Sequence, residues 1–120
     1  MEKDLKDILL KDLCARLPYG VKVESVFINP DTKEHKSCGI EVFDATSILM
    51  IRDGLGEFKP YLFPLSSMTE EQRNEYHELL YNPIHGINID YFDWCHKNHL
   101  DCRCLIPKGL AIDATGLNIY

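Results

Sequence analysis

Apolar residues recur at three- and four-residue steps near the amino terminus, at Leu5, Ile8, Leu9, Leu13 and Leu17. Leu10 and Cys14 widen the stripe, and Lys, Asp and Arg fill the other side. This is the period of an amphipathic helix, expected over about residues 2–16. Pro18-Tyr19-Gly20 should end it, because proline disfavours helical geometry before it and glycine tolerates the turn out. From Val21 the period falls to two. VKVESVFI, SCGIEVFD and TSILMIRD are short and rich in β-branched and aromatic residues, which predicts three strands of an antiparallel meander. Asn29-Pro30-Asp31 and Asp44-Ala45-Thr46 are the expected connections, and Asp53-Gly54 a tight turn into a short fourth strand, Leu55 to Lys59. A sheet with one apolar face needs a cover, and the first helix is placed to supply it.

Pro60 and Pro64 hold the next passage extended, until Thr69 and Gln72 present a T-x-x-Q capping box with Glu70 and Glu71 in the first turn. A helix over 70–81 follows. Pro83 and Gly86 break the chain, and Asn88 is a candidate cap for a third helix carrying Ile89, Phe92, Trp94 and Cys95 toward His99. The tail, LIPKGLAIDATGLNIY, is apolar enough to pack but too punctuated for a regular element. The expected fold is α+β in a single domain, 1–120: a helix, a three- to four-stranded antiparallel meander, two helices and an irregular tail.

A chain of 120 residues, 45% hydrophobic and 27% charged, can bury a core without metals or disulfides. Its net charge of −6, with no clustering of basic residues, disfavours nucleic acid as a partner. The charged amino terminus lacks the apolar run of a signal peptide, and no stretch is long enough for a membrane span, so a cytoplasmic location is expected. There the five cysteines should be reduced, and their odd number suits a disulfide framework poorly.

The chemistry concentrates between Asp93 and Cys104, DWCHKNHLDCRC. Cys95 and His99 stand four apart on the expected helix, with Cys102 and Cys104 just beyond, so these four are candidate zinc ligands. Against this, C-x6-C-x-C is a single cluster without the second cysteine pair of a zinc knuckle, and free cysteines serve commonly as small buried hydrophobes. Cys95 beside His96, or Cys102 near His99, offers a thiolate–imidazolium pair, although neighbours on a helix point about 100° apart. His99 with Asp93 or Asp101 is the raw material of a small hydrolase or nuclease. Asp93 and Lys97 are more simply an i, i+4 surface pair, and Asp101 a turn residue. The aromatic residues around Phe58, Tyr61, Phe63, Tyr76 and Trp94 are better read as core than as a groove. Asp53-Gly54-Leu55-Gly56 lacks the rest of a P-loop or dinucleotide fingerprint, and no cofactor is expected.

Three blocks, KDLCARLPYGVKV (11–23), KPYLFPLSSMTEE (59–71) and DWCHKNHLDCRCLIPKGLAIDA (93–114), resemble a family of short uncharacterised proteins from gut Bacteroidetes and from their phages and mobile elements. The family's pattern has leucine, tyrosine and glycine where this chain has Cys95, Cys102 and Cys104, and arginine in place of Phe63. The resemblance implies no catalytic residue or cofactor. It implies a non-enzymatic accessory protein, carried by a phage or mobile element, that binds a host or phage protein. The positions matching the pattern make the candidate interaction surface: Lys59, Tyr61, Ser66, Ser67, Asp93, Trp94, Lys97, His99, Asp101 and Arg103. Oligomeric state is open.

Overall fold

A computed structural model describes residues 3–81 and 87–120. Helix α1 spans Lys3–Arg16, with Leu13 fully buried and Leu5, Ile8, Leu9 and Leu17 packed around it, as the apolar period requires. Leu17–Tyr19 adds one tighter 3-10 turn, and Gly20 ends it in the left-handed region at φ 66°, its N–H bonded back to the Leu17 carbonyl.

Strands β1 (Lys22–Ile28) and β2 (His35–Val42) form an antiparallel hairpin. Ser25 faces Gly39 and Val26 faces Ser37, so Cys38 is the extra residue of a bulge. The expected third strand, TSILMIRD, is instead a helix, α2, Ala45–Arg52. The cap explains the outcome. The Asp44 carboxylate accepts the Ser47 N–H at 3.0 Å while the Ser47 hydroxyl accepts the Asp44 N–H at 3.3 Å, a reciprocal capping box that starts a helix where β-branched residues suggested a strand. The helical turn then lays Ile48, Met50 and Ile51 against the core and leaves Leu49 outside.

Strand β3 (Gly56–Leu62) follows, longer than expected, and pairs antiparallel with β1 on the side away from β2. The sheet therefore runs β2-β1-β3-β4 rather than as a meander, because α2 returns the chain across β1; β4, Ile112–Asp113 in the otherwise irregular tail, lies parallel to β3. Helix α3 (Glu70–Tyr81) has the predicted bounds and cap, with Gln72 N–H on the Thr69 hydroxyl at 3.1 Å and Thr69 N–H on the Gln72 side chain at 3.0 Å. Helix α4 is Ile87–Lys97; the expected break at Pro83 and Gly86 and the side chain of Asn88 lie outside the described residues.

The α+β core joins Leu13 of α1 to Val21, Val23, Phe43, Phe58 and Leu62 and to Leu105, Leu110 and Ala111 of the tail. Phe43 and Phe58 meet edge to face at 5.8 Å, the arrangement favoured by the ring quadrupole. Trp94 stays outside this core: its indole N–H donates to Glu75 at 2.7 Å and its ring leans on Tyr76, tying α4 to α3.

Candidate functional site

The carboxyl end of α4 places most of the chemistry. Leu100 N–H bonds to the Cys95 carbonyl and His99 N–H to the His96 carbonyl, a Schellman closure with His99, rather than glycine, left-handed at φ 57°. The chain then runs beside the end of β3, with Phe63 N–H on the His99 carbonyl and Asp101 N–H on the Phe63 carbonyl. Asp101 is buried, and its two oxygens accept Leu105 N–H at 2.7 Å and Ile106 N–H at 2.9 Å. It holds the loop that carries Cys102 and Arg103.

That loop closes over α1. Asp12 and Arg16, four residues apart on one helical face, are both fully buried and joined at 2.7 Å. Arg103 approaches from the loop and reaches the other Asp12 oxygen at 2.9 Å. The same Arg103 nitrogen lies 3.0 Å from His96 Nε2. A guanidinium only donates, so Nε2 accepts and the ring proton belongs on Nδ1. Arg16 also donates to the Leu100 carbonyl at 2.6 Å and points at the Cys102 sulfur from 3.9 Å. Its remaining nitrogen, Nη1, is buried with no partner among the described residues. Two guanidiniums thus share one carboxylate, an excess of positive charge in a desolvated place. The Cys102 thiol answers it: a hydrogen bond from Cys95 foremost, then one from His96 and the Arg16 charge, hold it down to about 5 although burial pushes the other way.

Asp12, His96 and Cys102 bring ligand atoms within 4.8 Å of one another. The trio does not fit a metal ion. Both Asp12 oxygens and His96 Nε2 are occupied by guanidinium donors, and Cys102 faces a third, so a dication would meet two fixed positive charges in its first shell. The four residues weighed as a zinc set, Cys95, His99, Cys102 and Cys104, are not brought together either. Cys95 and Cys102 do meet, but Cys104 is exposed, and the His99 ring lies against Tyr120 at 3.8 Å, nearly parallel.

The hydrolase set is dispersed as well. Asp93 is exposed and accepts from the Tyr19 hydroxyl, Asp101 is committed to backbone N–H groups, and His99 is stacked. Burial, with the Arg16 and Lys22 charges, lowers His99 to about 4, so it is neutral at neutral pH. Nor do the ten surface candidates form one face. Lys59, Ser66, Ser67, Asp93 and Lys97 are exposed, but Tyr61 and Asp101 are buried, Arg103 bridges to Asp12, Trp94 bonds Glu75 and His99 lies against Tyr120. Asp12 and Arg16 were the residues that sequence reasoning missed. Their i, i+4 spacing was the available signal, indistinguishable from an ordinary exposed pair.

A second feature is the open side of the sheet. Every residue of β2 is exposed, including Ile40 at 52% and Val42 at 53%. Ile40 stands opposite Glu24, which lines a shallow groove with Val26, His35, Ser37, Glu57 and Lys59. No element among the described residues pairs with the outer edge of β2. Among those residues no helix is long and apolar enough to cross a membrane.

No family model, curated protein or solved structure matches this chain.

Proposed function

We propose that this chain is an interaction module, which acts by accepting an extended segment of another protein along the outer edge of β2. The observation that carries the reading is that strand: eight residues, all exposed, at the rim of the sheet. Such an edge offers a row of backbone donors and acceptors, and proteins ordinarily blunt or cover it. Here it is left with Ile40 and Val42 half bare, and strand addition supplies affinity through main-chain bonds and specificity through side chains on alternate positions. The fitting segment is extended, with apolar residues beside Ile40 and Val42, an acidic residue near His35 and Lys36, and a basic one near Glu41. The resemblance to proteins of phages and mobile elements supports a host or phage protein as its source. Neither the hydrolase nor the zinc reading has geometry in its favour.

The test compares wild type with the double variant Ile40→Lys/Val42→Lys, which alters only exposed side chains and should keep its circular dichroism spectrum. Expected is a partner captured from host lysate by the wild type and lost with the variant. Identical captures from both proteins would refute strand addition at β2. Sedimentation of the wild type alone checks for self-pairing; a dimer dissolved by the same substitutions would move the reading to a second copy of this chain.

A further inference from the structure

The buried cluster between α1 and the loop after α4 is not used by an interaction at β2, and it has the parts of a redox site. Cys102 sits on a loop fixed at both ends, by Asp101 and by the Phe63 bridge. Cys102 is partly buried, and its sulfur faces Arg16, which is completely buried and has one nitrogen unpartnered. Two guanidiniums against the single Asp12 carboxylate call for a second anion, and Cys102 is the group in position to be it. A second thiol, Cys95, fully buried on the last turn of α4, is hydrogen-bonded to that sulfur. A thiolate held by cations beside a sheltered thiol is the arrangement in which a sulfenic acid forms and is resolved.

We propose that Cys102 is a peroxide-reactive thiolate and Cys95 its resolving partner, so that peroxide converts the pair from dithiol to disulfide. The Cys102 sulfur attacks one oxygen of hydrogen peroxide, the O–O bond breaks, and the departing hydroxide takes up a proton and leaves as water. Cys102 is then a sulfenic acid. The Cys95 sulfur next forms the S–S bond, and the displaced hydroxide leaves with the Cys95 proton as a second water. The two sulfurs together lose two electrons, and the peroxide gains them. His96 lies beside the thiolate, and Arg103 holds its ring through Nε2.

The chain carries its own comparison, since Cys14, Cys38 and Cys104 are exposed. Native protein would be treated with stoichiometric hydrogen peroxide, capped with iodoacetamide and digested with trypsin, which cuts after Lys97 and Arg103 and so places Cys95 and Cys102 in separate peptides. The expected product is one species in which those two peptides are joined, formed before any oxidation of the three exposed cysteines. In Cys95→Ser, dimedone should trap a sulfenic acid on Cys102, and in Cys102→Ser neither product should appear. The rate of iodoacetamide labelling at Cys102 should already be near its plateau at pH 6 and fall by half near pH 5, whereas an ordinary thiol is still rising at pH 8. Prior oxidation of an exposed cysteine, or a labelling profile that rises only above pH 8, would overturn the proposal. So would Cys102 oxidation in wild type without the link to Cys95.

Discussion

Replacing Asp12 by asparagine keeps the size of the side chain and removes one charge from a place where Arg16 is entirely shielded from water. Arg16 would lose its counter-ion at 2.7 Å, and Arg103 its own at 2.9 Å. An uncompensated buried charge left by breaking such a pair destabilises by about 3–5 kcal/mol. The reciprocal change, Arg16→Met, is milder. Asp12 keeps Arg103, the Leu100 carbonyl keeps the Cys102 N–H at 3.0 Å, and Cys102 can answer the lost cation by taking a proton. What goes are two charged hydrogen bonds, to Asp12 and to the Leu100 carbonyl, but each acceptor keeps another donor, so the net loss is roughly 1.5–3 kcal/mol, while the methionine chain fills the vacated path. The same few ångströms thus yield two unequal results. Urea unfolding at pH 7 measures both. With a slope near 1.5 kcal/mol per molar, Asp12→Asn should lower the midpoint by about 2–3 M and Arg16→Met by about 1–2 M. Equal shifts, or a larger one for Arg16→Met, would refute the assignment of Asp12 as the carboxylate shared by two cations.

Acid should weaken the fold through His99. Its ring takes a proton at about 4 in the folded chain and near 6.5 when unfolded, so the unfolded state binds protons first and stability falls as pH drops from 6.5 to 4. In His99→Asn, which keeps a residue suited to φ 57°, the decline in urea midpoint over that interval should flatten; an unchanged slope would show that other groups control it. Cys102 acts over a higher interval, its stabilising contribution being complete above about 9 and lost progressively as pH falls to about 5. Asp44→Ala should remove the start of α2 and cost about 1 kcal/mol, read as a thermal midpoint lower by several degrees. No change in midpoint would mean that packing of Ile48 and Ile51 alone sets the helix.

Where information was local, the sequence was readable. The stripe from Leu5 to Leu17 put α1 in place, and Thr69 with Gln72 marked the start of α3 to the residue. The error at TSILMIRD was local too: Thr46, Ile48 and Ile51 favour a strand one by one, but Asp44 and Ser47 close a cap, and the cap fixes the backbone. The strand order could not be read, since α2 rather than a tight turn brings β3 to the far side of β1. In the cysteine-rich stretch the spacing did not show which residues would meet. His96 and Cys102 belong with Asp12 and Arg16, eighty or more residues earlier, while His99 turns away because its left-handed backbone closes α4. Nothing in DWCHKNHLDCRC tells which of two histidines three apart will face the first helix.

The distance along the chain between Asp12 and its second cation has a bearing on how the molecule is made. A ribosome releases α1 first, with Asp12 and Arg16 side by side but without Leu100, Cys102 or Arg103 to close around them. Loop closure over so many residues carries an entropic cost, and chains dominated by distant contacts fold slowly. The first helix must therefore wait, its inner charges still wet, until the loop after α4 has emerged. A chain cut short before Leu100 would be a hairpin and helices with no means of sealing them.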